Sequence, residues 1–410
     1  MDAHEGPIPR RERRDADADG LTADERLALA RADRDLLKAL AQVVALDGSD
    51  LHVTAGASPS MRMDGGLRQK SEAPWTAERV DRALDSLLTP AQREEFEQEH
   101  ELDFAFTLSA EARFRVNYYR QRGSTGGAFR LIPAEIKGLA DLGVPESVGR
   151  FAKLPRGLVL VTGPTGSGKS TTIAALIDLV NSTRADHIIT IEDPIEFLHP
   201  HKKSIVNQRE LGRDTHSFAT ALKFALRQDP DVILIGELRD LETISAALTA
   251  AETGHLVFAT LHTQDAGQTI DRIIDVFPPH QQDQVRLQLA GTLQGVVSQT
   301  LVRNATGHGR VIASEILVMT PAIANLIREG KTYQLPTAMQ GGKELGMQTL
   351  DQSLANLVNE GRVSRRAADE KAQDPASLAQ LIRRGGSPTV STAGEVASID
   401  FGDRYSKAVR

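Results

Sequence analysis

The apolar positions Leu36, Leu37, Leu40, Val43 and Val44 fall on one helical face, and the run Asp50-Leu51-His52-Val53 that follows begins a strand. Ahead of them, residues 1–35 carry Arg10, Arg11, Arg13 and Arg14 among scattered Asp. So polar a stretch cannot repay the entropy of ordering, and a mostly disordered arm is expected. Further on, Gly65-Gly66 suggests a hairpin turn, Thr76 to Leu88 a helix, and Arg113-Phe114-Arg115-Val116-Asn117 alternates as a strand with one wet face. Residues 36–137 therefore read as a small α+β domain. Gly and Pro then concentrate from Ile136 to Pro155, and residues 138–155 are expected to be a linker.

The pattern changes at residue 156. Leu158-Val159-Leu160-Val161, His187-Ile188-Ile189-Thr190-Ile191, Val232-Ile233-Leu234-Ile235 and Leu256-Val257-Phe258-Ala259 are short apolar runs separated by helical-length segments. Parallel strands covered on both faces read this way, so residues 156–265 are expected to form an α/β core. Residues 266–373 look mainly helical, with helices over Thr320 to Glu329 and Leu350 to Glu360. From 374 to 410, Ser, Gly, Ala and Arg predict a loose tail, and no internal repeat is found.

Composition narrows the classes. At roughly 150 residues per domain, 410 residues imply two or three domains, and 40% apolar content suffices for a core in each. There is no run of 18 uncharged apolar residues and no apolar segment where an export signal would stand, so a cytoplasmic protein is expected. With no Cys there is no disulfide framework, thiolate zinc site or Cys nucleophile. The net charge of −7, from 48 Lys and Arg against 55 Asp and Glu, disfavours stable nucleic-acid binding.

Gly163-Pro164-Thr165-Gly166-Ser167-Gly168-Lys169-Ser170 fits the phosphate-loop pattern, directly after a strand and before the helical segment that Thr171 opens. Glycines let backbone amides curl around a phosphate at a helix N-terminus, Lys169 reaches the β and γ oxygens of a nucleotide, and the Ser170 hydroxyl can ligate Mg²⁺. Glu237, closing the strand Val232 to Ile235, is the candidate for the second acidic centre that such a loop needs beside Mg²⁺. Thr190 to Phe197 places Glu192, Asp193 and Glu196 just past another strand, where they could polarise an attacking water or form a solvated acidic loop. His255 and His262 flank the strand Leu256 to Leu261 and would lie roughly 23 Å apart at about 3.3 Å per residue, so they cannot share one metal ion. His262 is read as a contact to the γ-phosphate or its water, His255 as fixing a turn with Gly254. Arg113, Arg115 and Arg130 fall on predicted strands as surface arginines, although phosphoryl transfer calls for a cation beyond the loop lysine.

These four blocks, in this order, resemble the type II/IV secretion ATPase superfamily: Walker A at Gly163 to Ser170, an Asp box at Thr190 to Phe197, Walker B at Val232 to Glu237 and a His box at Thr249 to His262. Ser49-Asp50-Leu51-His52, Arg113 to Asn117, Asp271 to Pro278 and Gly346-Met347-Gln348-Thr349-Leu350-Asp351 look like the PilT branch, the type IV pilus retraction motors, so the resemblance spans about residues 36–370. It implies a RecA-like P-loop ATPase domain with a PAS-like N-terminal domain and a C-terminal helical extension. It further implies a homo-hexamer that hydrolyses ATP with Mg²⁺ at the cytoplasmic face of the inner membrane, working on a pilus platform protein. On this resemblance Glu196 is the general base, Glu237 acts through Mg²⁺ or its water, and Arg113, Arg115 and Arg130 are sensors reaching the phosphates. Ala324 stands where that branch carries Arg, which bears on retraction rather than hydrolysis unless it is simply an exposed helical alanine. The alternatives are a pilus-assembly or secretion ATPase on the same core, an accessory retraction ATPase, a nucleotide-binding regulatory subunit and a DNA translocase.

Overall fold

The computed structural model describes residues 21, 23–63, 66–69, 73–109, 112–132, 135–307 and 309–384. The first unit is a six-stranded antiparallel sheet built from β1 (Asp50–Val53), β2 (Ser60–Met63), β3 (Gly66–Gln69), β4 (Glu101–Ser109), β5 (Ala112–Gln121) and β6 (Ser124–Ile132). Its spatial order is β3-β2-β1-β6-β5-β4. The expected turn between β2 and β3 involves Gly65, outside the described residues, although Met63 does pair with Gly66. Helices Arg34–Ala45 and Ala77–Asp85 supply Leu36, Leu40, Val43, Val80 and Leu84 to a core shared with Phe114, Tyr118 and Phe129. The buried Tyr118 hydroxyl finds its partner in the Leu84 carbonyl at 3.1 Å, so the large ring costs no orphaned polar atom.

Part of the expected disordered arm is folded. Helix Ala23–Arg31 packs Ala28 and Leu29 against the first core, and the Thr107 hydroxyl lies 2.7 Å from Glu25 Oε1. Asp33 then caps the next helix by accepting from the amides of Asp35 and Leu36. Residues 1–20 of the arm lie outside the described residues.

The second unit is a seven-stranded mixed sheet of order β13-β12-β7-β11-β10-β8-β9. Its strands are β7 (Gly157–Thr162), β8 (His187–Glu192), β9 (Ile205–Glu210), β10 (Val232–Ile235), β11 (Leu256–Leu261), β12 (Leu293–Arg303) and β13 (Arg310–Val318). The four apolar runs are β7, β8, β10 and β11, mutually parallel, with helices covering both faces. Residues 266–373 are mainly helical, as expected, but also supply two strands that the reading did not include: β12, which pairs parallel to β7, and β13, antiparallel to β12. Helix Pro279–Thr292 runs directly into β12 at Leu293 with no loop between them, Gly291 and Gly295 standing on either side of the change of period.

Two further boundaries move. Within the expected linker, Val144, Val148 on helix Glu146–Gly149, and Phe151 and Ala152 on the 3₁₀ turn Arg150–Lys153 are buried beneath the second sheet. Gly295 on β12 makes room for this segment, since a Cβ there would sit 2.2 Å from Phe151 Cζ. At the other end, the tail begins with helix Pro375–Arg384, whose Leu378 is buried, and Asp351 accepts from the amides of Gln373 and Asp374. Residues 385–410 lie outside the described residues.

Phe151→Ala is therefore expected to destabilise the second unit by about 3–5 kcal/mol, as truncation of a buried aromatic does. Denaturant unfolding followed by circular dichroism checks this, and an unchanged midpoint would restore the linker reading.

Candidate active site

β7 ends at Thr162 and the chain turns at Gly163, whose φ of 141° is open only to glycine. A Cβ on Gly163 would stand 2.2 Å from the Gln299 carbonyl and 2.6 Å from Ser167 Oγ. Gly166 and Gly168 also take positive φ, 77° and 88°, and Gly168 leads into helix Lys169–Thr183 without a side-chain cap. The first amides of that helix are thus left to face the turn, the arrangement that attracts phosphate. β12 supports the turn from behind: Gln299 Nε2 donates to the Ser167 carbonyl at 2.8 Å, and Ser298 Oγ meets Thr162 Oγ1 at 2.8 Å. Gln299 Oε1 and Ser167 Oγ are buried without a partner. Sequence reasoning missed Gln299; its signal was the polar step Ser298-Gln299-Thr300 between the apolar pairs Val296-Val297 and Leu301-Val302.

Lys169 folds back over the turn, donating to the carbonyls of Gly163 at 2.8 Å and Pro164 at 3.2 Å. Burial pulls its amine below the ordinary value, against the attraction of Glu237 and Glu196. His262 joins these charges, with Nδ1 3.4 Å from Lys169 Nζ and Nε2 3.3 Å from Glu237 Oε1. A neutral imidazole satisfies both by accepting from the lysine and donating to the carboxylate. Arg239 Nη2 lies 2.7 Å from the other Glu237 oxygen. Burial works to raise the Glu237 carboxyl, but Arg239 and His262 outweigh it and leave it below its usual value. His255, at the far end of β11, instead places Nδ1 2.9 Å from the Ala250 carbonyl in the helix-to-strand turn.

Past β8, Ile195 and Phe197 are buried on either side of Glu196, so the intervening carboxylate is exposed toward a crevice of about 640 Å³. Thr165, Gly166, Gly168, Lys169, Ser170 and Thr171 line the same crevice, as do Glu237 and His262. Glu192, half-buried as a residue, turns Oε1 inward to accept from Thr190 Oγ1 at 2.6 Å and Gln208 Nε2 at 3.1 Å. Burial pushes its carboxyl up to about 6 despite those donors. Among the described residues no group of three or more His, Asp and Glu could hold a metal ion by itself. The Ser170 hydroxyl and Glu237 carboxylate nevertheless suit Mg²⁺, which takes few protein ligands and completes its shell with water and substrate phosphates.

The opposite wall comes from the first unit. Arg115 and Arg130 face each other across β5 and β6 and both line the crevice. Like charges opposed on neighbouring strands repel. Asp103, 3.9 Å from Arg115, and Asp50, 2.9 Å from Arg130, offset the repulsion only at one side of each guanidinium. Arg113 requires a correction: it does not line the crevice but is buried in an ion pair with Glu210, at 3.1 Å. Alternation alone puts it on the wet face with Arg115, and the second unit covers it there. Ala324 is also corrected, being 8% exposed within the main core rather than on an exposed helical face.

An uncapped helix start behind a glycine turn, with a lysine, acids and two opposed arginines around one crevice, defines a nucleotide-binding α/β protein. The chain belongs to the Type II/IV secretion system protein family, whose profile matches residues 34–368. It is 52% identical over 344 residues to the type IV pilus retraction ATPase PilT of Pseudomonas aeruginosa, covering 84% of this chain and 100% of that one. It is 50% identical over 321 residues to a twitching motility protein of Neisseria gonorrhoeae, covering 78% of this chain and 86% of that one. The crystal structure of the pilus retraction motor PilT with bound ADP superposes with a TM-score of 0.79 at 48% identity, covering 84% and 99% of the two chains. No helix among the described residues is long and apolar enough to cross a membrane.

Because the Glu192 carboxyl titrates higher folded than unfolded, the unfolded chain ionises first and stability falls as pH rises from the ordinary 4.5 to about 6, then levels off. Glu192→Gln keeps an acceptor for Thr190 and Gln208 and is expected to stabilise the protein by about 2 kcal/mol at pH 8 and not at pH 4. Thermal unfolding at the two pH values checks it; equal shifts at both would contradict the assignment.

Proposed function

We propose that the protein is a hexameric motor that hydrolyses ATP with Mg²⁺ and drives retraction of a type IV pilus. The observation that carries this reading is the crevice itself, which sets a phosphate-binding turn and carboxylates of one unit against paired arginines of the other. In this reading the seven-stranded sheet is a RecA-like ATPase core, the six-stranded one a PAS-like domain, and the C-terminal helices an extension of the core. The likeness to a pilus retraction ATPase over nearly its whole length supports the choice of work done.

The chain's own residues divide the chemistry. Amides of Gly166 to Ser170 bind the β-phosphate, with Gly163, Pro164 and Thr165 shaping the turn and Thr171 continuing the helix. Lys169 exchanges its carbonyl partners for phosphate oxygens. Ser170 and Glu237 would hold Mg²⁺, which neutralises phosphate charge when bound. Glu196, on its anchored loop, takes the proton of the attacking water. His262 keeps Lys169 and Glu237 in register. Arg115 and Arg130 meet the γ-phosphate as the units close, which gives ATP and ADP different affinities for the two shapes and thereby couples hydrolysis to motion. Subunits of the ring would pass that motion to a platform protein at the inner membrane, to which this cytoplasmic protein binds peripherally.

Lys169→Ala is expected to weaken ATP binding about tenfold or more, since it removes charge-assisted hydrogen bonds. Glu196→Ala is expected to lower turnover about a hundred- to ten-thousand-fold with ATP still bound, the loss of a general base. Phosphate release and equilibrium binding of a fluorescent ATP analogue separate the two effects; near wild-type turnover in Glu196→Ala would remove it as the base. In the native cell, deletion of the gene should leave excess pili and abolish surface motility, whereas absent pili would indicate an assembly motor.

A further inference from the structure

Glu210, the last residue of β9, serves two partners with one carboxylate oxygen. Its Oε2 accepts from Arg113 Nη2 at 3.1 Å and from the Ile195 backbone amide at 3.1 Å. The first partner stands on β5 of the first unit, the second directly beside Glu196. The ion-paired side chains are only 9% and 8% exposed, and Arg113 Nε is buried without any partner. Glu210 is held from its own side as well, its amide donating to Asp214 Oδ2 at 2.9 Å and the next amide, of Leu211, donating to the Glu192 carbonyl at 2.8 Å. One buried carboxylate thus ties the first unit, β9 and the loop bearing Glu196 into a single contact.

We propose that Arg113 and Glu210 are positioning residues that place the Glu196 loop according to how the first unit is seated on the second. The proposal rests on Glu196 being the general base. A carboxylate and a guanidinium buried together cannot separate singly without leaving an unpaired charge out of water. When the first sheet shifts, Glu210 therefore follows Arg113 or loses its counter-charge, and in either case the hydrogen bond to Ile195 changes. Glu196 moves with its neighbour, so the base stands in reach of the γ-phosphate in one seating and out of reach in the other. Closure then governs the chemical step as well as the grip of the arginines on the nucleotide, because a misplacement of about 1 Å can lower a rate about a hundredfold.

The test uses the full chain with Arg113→Met, Glu210→Gln and the double variant, which removes both buried charges together and keeps an acceptor for Ile195. The expected result is a kcat lowered about tenfold to a hundredfold with KM for ATP unchanged. The double variant should be no worse than either single one, as for residues acting as a unit. Hydrogen exchange of the amides at 193–199, measured without nucleotide, should be faster in all three, and in the double variant this should occur with an unfolding midpoint near wild type. Wild-type kcat with unchanged exchange in the double variant would overturn the proposal, leaving the pair as packing. A lowered kcat with unchanged exchange would also overturn it and return Arg113 to direct contact with the phosphates. If Glu196→Ala retained turnover, the base reading would fail separately, and the catalytic half of the proposal with it, while faster exchange would still report that the pair holds the loop.

Discussion

The Gln299 carbonyl occupies the space where a side chain on Gly163 would begin, 2.2 Å from an ideal Cβ, and this close approach of β12 to the end of β7 shapes everything downstream. Because the strand must leave the sheet through a glycine at φ 141°, the chain doubles back tightly and enters helix Lys169–Thr183 with no capping side chain. The amides left over are what a phosphate can use. Any substitution that pushed β12 away would open the turn, and any side chain at Gly163 would push β12 away. β12 and β7 therefore define one another, and the proposed nucleotide site lies at their junction.

Around that junction charge is nearly balanced within each unit but not across the crevice. Lys169, His262, Glu237 and Arg239 form a chain of alternating partners on one side. On the other, Arg115 and Arg130 stand opposed on adjacent strands with only Asp103 and Asp50 behind them. An anionic ligand between the units relieves the repulsion of the arginines and satisfies Lys169, which a carbonyl partner does only partly. In the proposed motor this binding energy brings the units together, and removal of one phosphate withdraws part of it.

The core of the second unit and its phosphate loop were legible because both signals are local. Four doubly apolar runs announce buried parallel strands, and eight consecutive residues carry the loop chemistry. β9 was not legible, since only Val206 and Glu210 of its six residues are buried and four of the six are polar. β12 and β13 were hidden by a helix that passes into a strand with no loop between them. The buried stretch around Phe151 reads as linker because its glycines and prolines dominate the pattern, although its apolar positions are spaced to cover a sheet. Arg113 shows the limit most clearly. It shares a face with Arg115 by strand alternation, and its burial depends on Glu210, 97 residues away in sequence, which no local pattern reports. Ala324 is the converse case, a small residue for which an exposed helical position was one alternative, yet packed into the main core by the placement of its helix.

The account depends on a triphosphate drawing the two units together, and the distance between them tests this directly. The chain has no Cys, so Leu67→Cys on the first unit and Phe224→Cys on the second, both at exposed positions, give a uniquely labelled pair for fluorescence energy transfer. Labelled chains diluted among unlabelled Glu196→Ala protein should show a shorter separation with Mg²⁺ and ATP than with ADP or no nucleotide. The same separation in all three conditions would contradict the account.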